Sequence, residues 1–269
     1  MSSSRAVYTH GHHASVLRSH TWRTAENSAA YLLPHLRPGM SVLDVGCGPG
    51  TITADLARLV APGRVVAVDA AEGIVEQARE LMASQGLENV VCEVGDVYDL
   101  GYDAGSFDVV HAHQVLQHVA DPVGALAAMR RVCRPGGLVA ARDSDYAAFT
   151  FHPEVPELAE WSGLYHRLAR ANGGEPDAGR RLLSWAREAG FTEVTPSASA
   201  WCFATPEDRA WWSEVWAERV TASAMADQTL AYGLATRAGL ERLASGWRAW
   251  GAAPDGWCAV LHGEILCRV

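Results

Sequence analysis

Between residues 40 and 142, short apolar runs alternate with stretches in which apolar positions recur every three or four residues. The runs at 42–45, 65–69, 90–94, 107–112 and 138–142 predict strands buried on both faces, and 52–61, 73–84 and 123–133 predict helices that dock on them. In the first helix Ile52, Leu56, Leu59 and Val60 stand at i, i+4, i+7 and i+8, which is one stripe on one side. Asp121-Pro122 opens the last of the three helices, with the aspartate as N-cap and the proline at the first helical position. Such alternation predicts a doubly wound α/β sheet.

The pattern differs on either side. Residues 1–39 read as an N-terminal arm, polar at first and then helical through Ala25, Ala29, Leu32 and Leu33 until Pro38-Gly39 stops it. After residue 150 the alternation ceases, and nine of the ten tryptophans lie there. Residues 151–188 and 206–250 read as helical insertions, the first broken at Gly173-Gly174-Glu175-Pro176, with strands near 193–203 and 257–269. The expected division is an arm (1–39), an α/β core (40–150) and a remainder (151–269) that completes the sheet and adds a helical cap.

Composition narrows the function. A formal charge of −9 without any Lys/Arg cluster lacks the basic face that releases counterions from phosphates, so nucleic acid is not an expected partner. The six cysteines, at 47, 92, 133, 202, 258 and 267, have no C-x-x-C spacing and read as buried, reduced thiols. No run approaches 18 apolar residues, and no basic start leads into an apolar stretch, so a cytoplasmic protein without a membrane span is expected. A homodimer is left open.

The chemistry concentrates in Val42 to Thr51, VLDVGCGPGT, where a buried strand runs into Gly46, Gly48 and Gly50 and then into a helix. Glycines there permit a tight turn and let a ligand lie on bare backbone. A dinucleotide site uses G-x-G-x-x-G, but here a proline interrupts, and Asp44 precedes the turn by two residues. That carboxylate opposes a pyrophosphate and favours an ammonium or sulfonium ligand. In an open parallel sheet ligands bind beyond the carboxyl ends of the strands, and Asp44 to Gly46, Asp69, Asp96, His113 and Asp143 all fall there. One ligand can touch them all.

These residues resemble the class I S-adenosylmethionine-dependent methyltransferases, whose first motif reads hhDhGCGxG, h being apolar. The likeness runs on through RVVAVD ending at Asp69, Gly95-Asp96-Val97, FDVVHAHQVLQHV (107–119) and Arg134-Pro135-Gly136-Gly137. Over about 40–145 it is closest to the small-molecule group that includes the ubiquinone and menaquinone C-methyltransferases. The resemblance implies a Rossmann-like, seven-stranded sheet with an antiparallel last strand. It implies S-adenosyl-L-methionine as cofactor and S-adenosyl-L-homocysteine as product. Asp44, Gly46, Cys47 and Gly48 would form the cradle, Asp69 and Ala70 would meet the ribose, and Asp96 and Val97 the adenine. HAHQ stands where amino methylases of nucleobases carry an NPPY-like signature, so a small-molecule acceptor is expected.

Methyl transfer needs alignment, exclusion of water and, when the acceptor carries a proton, a base. His113, Asp143 and His12 are the candidate catalytic residues, with His113 also a cofactor contact. Tyr8, Arg18 and Arg23 of the arm are candidates for the methionyl carboxylate, the arm serving as a lid. Gln114, Asp145, Tyr146, Trp161, Tyr165 and Trp212 are candidates for the acceptor pocket, and His118 is expected on the same helical face as Gln114. The histidines of Tyr8-Thr9-His10-Gly11-His12-His13 lack a cysteine or carboxylate to complete a metal set, so no metal is expected. The alternatives are a non-catalytic S-adenosylmethionine-binding sensor, which would lack an enclosed acceptor cavity, and an NAD-dependent oxidoreductase, which the glycine pattern disfavours.

Overall fold

A computed structural model describes residues 6–11 and 13–269. The arm holds α1 (Ala14–Thr21) and the single turn α2 (Ala25–Ser28). The core follows as β1 (Val42–Val45), α3 (Thr51–Val60), β2 (Val65–Asp69), α4 (Glu72–Ser84), β3 (Val90–Val94), β4 (Phe107–His113), α5 (Pro122–Val132) and β5 (Cys133–Ser144). Then come β6 (Thr150–His152), α6 (Pro156–Ala171), α7 (Leu182–Glu188), β7 (Glu193–Phe203), α8 (Pro206–Ala222), α9 (Ala224–Ala231), α10 (Arg237–Ala252) and β8 (Trp257–Arg268).

The sheet runs β3-β2-β1-β4-β5-β8, parallel as far as β5, with β8 antiparallel to it. β7 pairs with β8 from Glu193↔Arg268 to Phe203↔Cys258. The short β6 is an eighth strand that the sequence pattern does not announce, pairing with Trp257–Ala259 beyond the point where β5 leaves β8. Side-chain alternation builds two cores. Val42, Val65 and Val109 turn toward Leu56 and Val60 of α3 and Leu32 and Leu36 of the arm, while Leu43, Val66 and Val110 turn toward Leu126 and Met129 of α5. Leu59 belongs to neither and is exposed; the working stripe of α3 is Ile52, Leu56, Ala57 and Val60.

Four expectations need correction. The arm does not form one helix through Leu33: α2 stops at Ser28, and only a 3-10 turn, Leu33–His35, follows, since Pro34 is incompatible with a helix continuing from residue 30. No α-helix follows β4 directly; Gln114 takes φ +55° and Leu116–His118 is a 3-10 turn, so Gln114 and His118 do not share a helical face. Asp143 is not in a loop, because β5 extends to Ser144 and pairs Asp143 with Gly263. Cys202 is exposed on β7, whose outer face meets solvent. No helix among the described residues is long and apolar enough to cross a membrane.

The cap is a tryptophan-rich cluster against β6, β7 and β8. Thr205 caps α8 by accepting the Asp208 N–H, with Pro206 at the first helical position. Trp216 lies edge-on to Trp161 at 4.5 Å and is stacked with Trp247 at 5.6 Å, while Phe203 stacks on Trp212 at 4.3 Å. Trp161, Trp216, Trp247 and Trp250 are all fully buried.

Candidate active site

The tips of β1, β2, β4 and β5 open into one cavity of about 380 Å³, roofed by the arm and closed at its far end by β7 and α8. Its first half is made of main chain. Gly46 has φ +66°, and an added Cβ would clash with the Val115 side chain, so this turn favours glycine on both counts. At Gly48, with φ +57°, an added Cβ would meet nothing nearer than His20 Nδ1 at 3.9 Å, so it would project into the cavity. The turn is tied down by Asp69, whose Oδ2 accepts the Gly48 N–H and whose Oδ1 accepts the Ala71 N–H, both at 3.1 Å.

Asp44 also lines the cavity, but its carboxylate is held from behind. Oδ2 accepts from Thr53 Oγ1 at 2.5 Å, and Oδ1 lies 2.8 Å from His111 Nδ1. Cys47, Ala70, Asp96 and Val97 complete this half with Ile74 and Gly95, and the Asp96 carboxylate accepts the Tyr98 N–H at 3.0 Å. The acidic, glycine-lined surface fits an adenosyl ligand with a positive centre: carboxylates stand at two strand tips and bare backbone between them.

The second half is made of side chains from distant segments. Tyr8, His10, His20 and Arg23 descend from the arm, His113 and Gln114 rise from β4, Ser144 and Tyr146 from the end of β5, and Trp201, Trp212, Trp216 and Arg219 form the wall. The arm is pegged to the cap by Val7 N–H to the Asn172 carbonyl (3.0 Å), Asn172 Nδ2 to Thr9 Oγ1 (3.1 Å) and Gln228 Nε2 to the Tyr8 carbonyl (3.3 Å). Gln114 joins three segments: Oε1 accepts from Arg23 Nη2 at 2.8 Å, and Nε2 donates to Ser144 Oγ at 2.8 Å and to His262 Nε2 at 2.9 Å.

His113 is 6% exposed, and neither ring nitrogen has a hydrogen-bond partner in the protein. Burial, followed by the charges of Arg23 and Arg142, drives its pKa well below the usual histidine value. His10 is lowered likewise by burial and then Arg219, and its Nε2 is 3.0 Å from the Tyr165 hydroxyl. His118 falls to about 3, again chiefly by burial. His10, His113 and His118 are therefore neutral at physiological pH. Burial raises the Tyr8 phenol to about 12 against the opposing pull of Arg23.

Several predicted residues stand apart from this cavity. Asp143 points to the opposite side of β5 from Ser144, where Oδ1 accepts the Gln117 N–H at 3.0 Å, and burial raises its pKa to about 7. Asp145 is gripped by Arg180, Nε at 2.5 Å and Nη2 at 2.6 Å. Trp161 and Tyr165 lie behind the wall, packed on Trp216 and His10. Arg18 pairs at the surface with Glu218. His12 lies outside the described residues. Arg219 and His20 line the cavity without having been singled out as site residues, and Trp201 and Trp216, expected from the tryptophan-rich region as pocket walls, line it too; Arg219 carried a signal, since it stands three residues beyond Trp216 on the buried face of α8.

The profile of a methyltransferase domain family matches residues 36–190. The chain belongs to the class I S-adenosylmethionine-dependent methyltransferases. This methyltransferase is 33% identical to an uncharacterized methyltransferase of Schizosaccharomyces pombe, over 97% of this chain and 96% of that one. It is 35% identical to the demethylmenaquinone methyltransferase of Staphylococcus aureus over 49% of this chain and 52% of the other. The Haemonchus contortus phosphoethanolamine N-methyltransferase 2, solved with S-adenosyl-L-methionine, shares the fold with a TM-score of 0.56 at 18% identity, over 89% of this chain and 51% of that one.

Proposed function

We propose that this methyltransferase moves the methyl group of S-adenosyl-L-methionine to a small organic acceptor held in the tryptophan-walled chamber. The observation that carries the reading is continuity: one cavity joins the glycine turn and strand-tip carboxylates to an enclosed aromatic compartment. A sensor that only bound the cofactor would have no need of that second compartment.

The cofactor supplies an electrophilic methyl on a sulfonium. The Gly46–Gly48 backbone and Asp69 hold the sugar end of the adenosyl group, and Asp96 with Val97 holds the base. Arg23 and Tyr8 receive the methionyl carboxylate from the arm. Trp201, Trp212 and Trp216 exclude water and hold the acceptor's apolar body. His113 sits at the tip of β4 with an unpartnered ring nitrogen that can accept a proton; burial makes it a weak base, so the role fits an acceptor whose own proton is already acidic.

The test is calorimetry with S-adenosylhomocysteine against NADH, followed by transfer of a labelled methyl to a pool of small organic acceptors. Binding of S-adenosylhomocysteine and labelled small-molecule product are expected. Preference for NADH, or label appearing only in macromolecules, would defeat the reading. In the same assay His113→Gln should lower turnover about 10²–10⁴-fold while S-adenosylhomocysteine still binds.

A further inference from the structure

Arg219 reaches the cavity from near the end of α8 and is 4% exposed, its guanidinium carbon 4.5 Å from the centre of the Trp216 ring. Nη2 donates to two neutral oxygens, Ser19 Oγ at 2.8 Å and the Ser15 carbonyl at 3.3 Å. Nε has no partner, and no carboxylate among the described residues pairs with this side chain. Burial lowers its pKa most, and the side chains next in effect are the phenols of Tyr146, Tyr8 and Tyr165 and the guanidinium of Arg18. None is a carboxylate.

Arg209, also buried, likewise has no carboxylate partner among the described residues and donates to the Ala204 carbonyl, but it does not line the cavity. A buried charge loses its hydration, which an indole face returns only in part. Arg142, 1% exposed, is matched by Glu264 at 3.2 Å. Arg219 has the cavity in place of an acid. Of the polar groups lining the cavity, His10 and Tyr146 are neutral, and the carboxylates Asp44, Asp69 and Asp96 belong to the strand-tip end. An anionic group on a ligand in the cavity would supply the missing countercharge. Arg23, already donating to Gln114 beside β4, is the cation for the donor's carboxylate, which leaves Arg219 for the acceptor.

We infer that the acceptor is an anion: an apolar or aromatic body bearing a carboxylate that seats on Arg219, with Trp212 and Trp216 enclosing the body. This rests on the methyl-transfer reading of the same cavity. Specificity then lies in charge as well as shape, since a neutral analogue would leave the guanidinium buried and unpaired.

The experiment titrates the full chain, saturated with S-adenosylhomocysteine, with matched pairs of aromatic acids and their primary amides, from benzoate to naphthoate, following tryptophan fluorescence. The expected result is at least tenfold tighter binding of the acid in a pair, abolished by Arg219→Gln and retained in part by Arg219→Lys, with S-adenosylhomocysteine affinity unchanged in both variants. Equal binding of acid and amide by the unsubstituted protein overturns the inference, as does the absence of binding by any acid, and neither depends on a variant folding. A preference that survives in Arg219→Gln overturns it too. Weaker S-adenosylhomocysteine binding in a folded Arg219→Gln protein would reassign the arginine to the donor. Failure of the unsubstituted protein to bind S-adenosylhomocysteine at all would instead sink the methyl-transfer reading on which the inference stands.

Discussion

The two halves of the cavity are built by different means. The strand-tip half is main chain and carboxylate, drawn from residues 44–52, 68–74 and 95–98, which the parallel sheet lines up side by side. The chamber half is side chain, assembled from the arm, β4, β5, β7 and α8, segments up to about 200 residues apart, as in the Arg219–Ser19 bond. A backbone cradle tolerates few substitutions because geometry is its function. A side-chain chamber can be recut residue by residue, which is how one donor site serves many acceptors.

The sharpest way to break this contrast is Trp216→Ala. Trp216 packs on Trp161, Trp212 and Trp247, so its truncation should cost about 3–5 kcal/mol of unfolding free energy in denaturant titration. Donor affinity of the fraction that remains folded should change little; a large loss would mean the halves are one unit. Gly46→Ala is the converse: the left-handed backbone and the Val115 contact imply about 1–3 kcal/mol of strain, read as weaker S-adenosylhomocysteine binding with the cap intact by near-ultraviolet circular dichroism. Asp69→Ala should weaken the same binding by about 1.5–3 kcal/mol, the worth of charge-assisted hydrogen bonds; an unchanged dissociation constant would put the sugar elsewhere.

The smallest effect concerns a residue in neither half. Asp143 has its pKa raised from 3.8 to about 7 by burial, so between those values the folded state holds a proton that the unfolded state has released. Its contribution to stability is therefore full in acid and lost as pH rises toward 7. The neutral chamber histidines work oppositely, losing stability as pH falls below 6.5. In the difference between Asp143→Asn and the unsubstituted protein the histidines cancel. The substituted protein should gain by up to about 1.4 kcal/mol per pH unit between pH 5 and 6.5 in chemical denaturation. A flat difference would show that Asp143 is ionised in the fold.

Legibility divides along the same line. The cradle could be read because its parts are local: VLDVGCGPGT carries strand, turn and helix start in ten residues, and Asp69 and Asp96 follow strands whose apolar runs are plain. The cap helices and β7 were legible as elements, since 151–188 and 206–250 read as helical and 193–203 as a strand. What lines the chamber was not. Trp161 and Trp212 look alike in sequence, yet one is behind the wall and the other part of it, because helix packing across about 50 residues decides. Asp143 was misread for a smaller reason: extending β5 by two residues turns it to the other face, a consequence of the period of two. The arm helix was over-extended because its stop was placed at Pro38-Gly39, while Pro34 already ends it.

Among the described residues Gln114 is the one non-glycine in the left-handed region, and its amide fastens Arg23, Ser144 and His262 together. Backbone ease and ligand grip are therefore opposed at a single position. A glycine there would relax the main chain and leave the arm's guanidinium without its rest, so local strain at one residue is what knits the arm, β5 and β8 together.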